Sequence, residues 1–241
     1  MQFLSEQRLD DGILEREFTL GEIPGFVWAP ESASASEPAP LILLGHPGGL
    51  PKVYPRLLAR ARHAAAEGFV TATIELSRPP AAEQARDEML RAMRAGEPIA
   101  DEIVDQLVFP MLEEAVTPWR AALDALLALP EIGGPVGISG GLISLGIRLA
   151  AVEPRIRAAR LFAGTFVPRT MFEEARQVTI PLQVLLQWDD EGNDRQLALD
   201  LFDAFGSKEK TLHANMGGHT GIPPSEADEG TRFFARHLKQ I

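Results

Sequence analysis

The chain of 241 residues contains no cysteine. Disulfides, thiol nucleophiles and thiolate metal sites are therefore excluded. There is no HExxH and no histidine pair at metal-ligand spacing, so a metal enzyme is not expected. Neither a Walker A loop nor a G-x-G-x-x-G is present, and no nucleotide or other cofactor is implied. No apolar run approaches the ~18 residues that a membrane helix needs. The segment Met1 to Gly12 carries Glu6, Arg8, Asp10 and Asp11 and has no apolar stretch of the signal-peptide kind. A cytoplasmic protein is the expectation. Lysine is scarce, 4 against 19 arginines, which reads as a composition bias. Internal repeats are absent.

What is present suits one domain spanning 1–241. Hydrophobic residues make up 45% of the chain and the mean hydropathy is −0.02, values of a globular core rather than of disorder. Acidic residues outnumber basic ones 34 to 23, for a net charge of −11. That balance argues against nucleic acid or an anionic membrane surface as a partner.

Apolar strand-like runs alternate with amphipathic stretches. Ile13 to Leu20 and Phe26 to Ala29 read as an antiparallel pair, followed by a Ser/Ala/Glu/Pro-rich loop over Pro30 to Pro40. Strands are expected at Leu41 to Leu44, Phe69 to Leu76, Gly134 to Ile138, Arg157 to Ala163, Leu182 to Gln187 and Lys208 to His213. Helices are expected at Tyr54 to Glu67, Pro118 to Leu129, Gly140 to Val152, Asp194 to Phe205 and Ser225 to Leu238. Such alternation gives an α/β fold, a mostly parallel central sheet with helices on both faces. About 77–117 stands outside the alternation, with helical pieces at Ala81 to Ala95 and Ile99 to Leu112. An insertion leaving a strand at the ligand-binding edge reads as a lid; packing decoration is the alternative.

The chemistry centres on Gly137-Ile138-Ser139-Gly140-Gly141. A serine between small residues, at the passage from an apolar strand to a helix, is the pattern of a nucleophile elbow. A serine hydroxyl needs a base, and the base needs an anchor. Of five histidines, His219 lies in the glycine-rich loop Met216 to Gly221, between the last strand and the last helix. A base there could reach Ser139; a loop histidine in solvent is the plain alternative. His63 falls inside a helix, His213 ends a strand, and His237 sits where a helix dipole favours a cation. For the anchor, the strand Leu182 to Gln187 leads into Asp189-Asp190-Glu191, so a carboxylate lies between serine and histidine in the chain. The oxyanion donors would be the Gly140 N–H and one from Gly45-His46-Pro47-Gly48-Gly49. Pro47 has no N–H, which leaves Gly48 or Gly49.

These four motifs, in this order, resemble the α/β-hydrolase superfamily, and most of all the small single-domain esterases related to dienelactone hydrolases. The resemblance runs from about Ile13 to Leu238. It implies a catalytic set of Ser139, His219 and Asp190, with Gly140, Gly48 and Gly49 at the oxyanion hole. It further implies a small-molecule ester or acyl substrate and an acyl-enzyme intermediate. Pro47 replaces the family's glycine after the histidine. Dienelactone hydrolases proper use cysteine, so lactone specificity does not carry over. Trp188 stands where the family has glycine before the acid, which leaves Asp189 and Glu191 as alternatives to Asp190. Two other functions fit the same fold: a non-catalytic binding protein, and an acyltransferase with the same triad.

Overall fold

A computed structural model describes residues 1–163, 166–219 and 221–239. The strands form one nine-stranded sheet: β1 (Gln2–Arg8), β2 (Ile13–Leu20), β3 (Ile23–Pro30), β4 (Ala39–Gly45), β5 (Val70–Ile74), β6 (Ile132–Gly140), β7 (Ile156–Phe162), β8 (Leu182–Gln187) and β9 (Lys210–Asn215). Their order across the sheet is β1-β2-β3-β5-β4-β6-β7-β8-β9. From β5 to β9 neighbouring strands run parallel, while β1, β2 and β3 add an antiparallel flank.

The parallel strands are buried on both faces, as continuous apolar sequences such as Leu41-Ile42-Leu43-Leu44 require. Side chains alternate between two cores. Leu41 and Leu43 point into one core, and Ile42 and Leu44 into the other. Helices α1 (Leu50–Ala66) and α7 (Ser225–Leu238) cover the second. The first core packs against α2 (Pro80–Ala95), α3 (Asp101–Leu127), α4 (Ile143–Val152), α5 (Met171–Gln177) and α6 (Arg195–Ala204).

Three expectations are corrected. The exposed strand β1 was not foreseen, because every residue in it is exposed and no apolar alternation marks it. Helix α3 runs unbroken through Pro110 and Pro118, where a boundary was expected. An interior proline costs a helix about 3 kcal/mol. The apolar stripe of α3 buries Val108, Leu112, Trp119, Leu123 and Leu126, each contributing about 1.5–3 kcal/mol, and outweighs two such penalties. Helix α4 starts at Ile143 rather than at Gly140.

Segment 77–117 thus comprises α2 and the first half of the helix that crosses from β5 to β6. Helices α2 and α3 pack on each other, and Ala82, Val104 and Val108 belong to the main core. No hydrogen bond or ion pair among the described residues joins this segment to Asp190 or His219. No helix of the described residues is long and apolar enough to cross a membrane.

Candidate active site

The carboxyl ends of β8 and β9 bring Asp190 and His219 together. His219 Nδ1 lies 2.7 Å from Asp190 Oδ2. The carboxylate side chain is only 8% exposed and the imidazole 76% exposed, so a shielded acid holds a solvent-facing base. With Nδ1 donating to Asp190, Nε2 is the nitrogen left to take a proton.

The neighbouring acids have other work. Asp189 accepts the backbone N–H groups of Gly217 (2.9 Å) and Gly218 (2.9 Å). Chiefly the Gly218 N–H, with that of Gly217, holds its carboxyl below the usual carboxylate range. Gln187 Nε2 donates to the Gly218 carbonyl at 2.8 Å. Gly217 and Gly218 have φ of 123° and 65°, a left-handed path that glycine takes without strain. The loop is therefore tied to the end of β8 from both sides, with His219 at its tip. Asp190 Oδ1 also accepts the Gly192 N–H, closing its own turn at 3.0 Å. Glu191 makes no described hydrogen bond. Thr220, next in the loop, lies outside the described residues.

Ser139 is not brought to His219. It is the penultimate residue of β6, between Leu44 of β4 and Arg160 of β7, and is 5% exposed. Its side chain lies on the α1/α7 face, where Arg60 of α1 donates to Ser139 Oγ at 2.8 Å and to its carbonyl at 2.9 Å. The sharp turn expected at the serine falls after it. Among the described residues only glycines have positive φ, and the turn is made by Gly140 (φ 72°) and Gly141 (φ 82°). Leu142 then caps α4.

The expected oxyanion donors on the β4–α1 loop also have acceptors already. The Gly48 N–H donates to His46 Nδ1 at 3.1 Å, and the Gly49 N–H donates to Glu75 Oε1 at 2.9 Å. Glu75, one residue beyond β5, also accepts from Leu50 (2.6 Å) and Leu76 (3.0 Å), so its carboxylate closes the amino end of α1. His46 Nε2 lies 2.9 Å from the Ile74 carbonyl and donates to it, since Nδ1 is the acceptor for Gly48. Burial holds the His46 pKa below its ordinary value and keeps the ring neutral. Pro47 is drawn in through its carbonyl, which accepts from Arg78 at 2.9 Å.

The other histidines take structural places. His213 Nδ1 faces Glu226 at 3.1 Å, and Glu226 pairs with Arg160 at 2.9 Å beneath α7. His63 lies 3.2 Å from Asp228 and His237 3.5 Å from Glu209. Among the described residues no three His, Asp or Glu side chains converge as a metal-binding set.

Arg60 and Glu75 were missed from sequence. Arg60 left one signal: it interrupts the buried stripe Leu57, Ala61, Ala64 of α1, where a charge needs a reason to be. Glu75, a lone acid ending an apolar strand, left none.

Solved structures share this architecture along the whole chain. A cold-adapted esterase from an Arctic intertidal metagenomic library, solved with bound polyethylene glycol, is 28% identical with a TM-score of 0.76. The match covers 99% of this chain and 100% of that one. A dienelactone hydrolase from Anabaena variabilis ATCC 29413 matches over 99% of this chain and 100% of its own, at 18% identity and a TM-score of 0.61. An acetyl xylan esterase from Paenibacillus sp. R4 matches over 98% and 88%, at 12% identity and a TM-score of 0.67. The chain has the α/β-hydrolase fold. No family model matches it, and no curated protein sequence does. In this hydrolase fold the Asp190–His219 pair stands on the loops that follow the last two strands, at the edge where open α/β sheets bind ligands.

Proposed function

We propose that this α/β-hydrolase cleaves a carboxylic ester or related acyl bond through Ser139, His219 and Asp190. The observation that carries the proposal is the 2.7 Å contact between Asp190 and His219. A carboxylate at that distance favours one tautomer and orientation of the imidazole, as the base of an acyl-transfer triad requires. The esterase at 28% identity over the full chain supports an ester rather than another substrate class.

Ser139 is the nucleophile that the sequence frame supplies. In turnover its hydroxyl leaves Arg60 and gives its proton to His219 Nε2 while Oγ adds to the ester carbonyl. His219 then returns that proton to the departing alkoxide, and a water repeats the cycle on the acyl-enzyme. Gly140 and Gly141 directly follow Ser139, and their left-handed backbone is the hinge on which this movement turns. The Gly140 N–H, with Gly48 or Gly49 once its present bond is exchanged, holds the oxyanion. One such donor contributes about 10²–10³ in rate.

A second reading rests on specific bonds. Ser139 is held by Arg60, and Gly48 and Gly49 are spent on His46 and Glu75, as suits a fold member that binds a small molecule without turning it over.

Fluorophosphonate labelling followed by intact-mass measurement, with an ester panel on wild type, Ser139→Ala and His219→Ala, separates the readings. The expected result is one adduct on wild type, none on Ser139→Ala, and ester turnover lost in both variants. Activity retained by Ser139→Ala but lost in His219→Ala would transfer the attack to a water activated by His219. A folded wild type with neither adduct nor turnover overturns the proposed triad and turns the search to a bound ligand or partner.

A further inference from the structure

Behind Ser139, on the α1/α7 face of the sheet, is a cavity of about 60 Å³. Its walls include Arg60, His63, Ser139, Arg160, Thr231 and Phe234. A single water occupies about 30 Å³ in the liquid, so the space suits one or two small polar species.

The charges around it do not balance. Arg160 is answered by Glu226 at 2.9 Å and accepted by Gln183 at 2.6 Å. His63 faces Asp228 at 3.2 Å. Arg60 is different: among the described residues its only partners are the carbonyl and hydroxyl oxygens of Ser139, both bonded through Nη2. No carboxylate of the described residues pairs with it. Burial, and then the positive charges of Arg160 and Arg56, push its pKa down to about 10, so it is still a cation at neutral pH. Its guanidinium also lies against the hinge, since a Cβ placed on Gly140 would come within 2.9 Å of Nη1. A half-buried cation without an anion is costly, and a guanidinium presents a planar fork suited to small oxyanions.

We propose that this cavity binds one small monovalent anion, of the size of chloride, nitrate or formate, on Arg60, and that the anion competes with Ser139 Oγ for the guanidinium. Anion binding needs nothing from the proposed catalysis. The consequence for turnover, release of the hydroxyl toward His219, rests on Ser139 being the nucleophile.

The test is thermal unfolding of wild type and Arg60→Met while nitrate replaces gluconate at constant ionic strength. Gluconate is the larger comparison anion. Wild type is expected to gain about 4 °C at tenfold excess over Kd and to go on rising with the logarithm of nitrate concentration, and Arg60→Met to gain nothing. Should Arg60→Met not fold, chloride-35 line broadening on wild type, abolished by nitrate, is the second measurement. A wild type with no gain and no broadening, or an equal gain in both proteins, overturns the site. Fluorophosphonate labelling in the same titration reads the coupling: the rate on Ser139 is expected to rise with occupancy, and saturable binding with an unchanged rate refutes the competition while leaving the site.

Discussion

The two halves of the sheet's carboxyl edge are built differently. At the ends of β8 and β9 the polar groups converge on one side chain: Asp190 orients His219, Asp189 pins the loop that carries it, and Gln187 ties the same loop to the strand. At the ends of β4 and β6 the groups bond to one another. Gly48 goes to His46, Gly49 to Glu75 and Ser139 to Arg60. In the proposed reaction the first half is poised for proton transfer, the second must exchange bonds before it can act, and the barrier to activation lies on the nucleophile side.

The largest effect expected from this comparison is on Asp190. Asp190→Asn removes the acceptor that fixes the His219 tautomer, and kcat/KM is expected to fall about 10³–10⁴-fold. Asp189→Asn leaves the imidazole's partner in place and loosens only the loop, for a loss of about tenfold or less. Steady-state kinetics on an ester substrate decide this. Equal losses would mean that loop position, not imidazole orientation, limits that half of the site.

The next effect is on stability. Glu75 accepts three backbone N–H groups, two of them at the amino end of α1. Glu75→Gln is expected to cost about 1–3 kcal/mol in denaturant unfolding, because charged acceptors are lost from a helix terminus. An unchanged midpoint would show that the β4–α1 loop is held by other means, and the contrast between the halves would weaken.

Sequence reading reached the two halves unequally, for physical reasons. Asp190 follows the apolar run Val184-Leu185-Leu186, and His219 lies in a glycine-rich loop between the last strand and the last helix, so their places at the sheet edge could be read from order along the chain. The nucleophile side depends on which face of β6 a side chain takes and on where α4 begins. A shift of α4 to Ile143 leaves Ser139 inside the strand, and no local pattern marks that start. Long-range partners were equally hidden: Arg60 and Ser139 are 79 positions apart, and Gly49 and Glu75 are 26 apart. The fold itself was more legible, since it follows from burial periodicity. Its misses included β1, which buries nothing, the short helix α5, the start of α4, and the passage of α3 through two prolines, which tertiary burial overrides.

The smallest effect is a dependence on pH. Burial lowers the pKa of His46 and of His237 below the ordinary 6.5. A base whose folded pKa is depressed binds fewer protons folded than unfolded, so stability rises with pH across the interval between the two values. The contribution is fully present above about 6.5 and is lost as acid drives protons onto the rings below it. For His46 the loss has a structural target: protonating Nδ1 removes the acceptor of the Gly48 N–H and loosens the half of the edge that is tied to itself. Unfolding midpoints of wild type are expected to fall from pH 7 to pH 5. His46→Gln, which cannot titrate, is expected to fall less steeply, with His237 supplying the remainder. Parallel curves for the two proteins would remove His46 from the account and assign the acid sensitivity to α7.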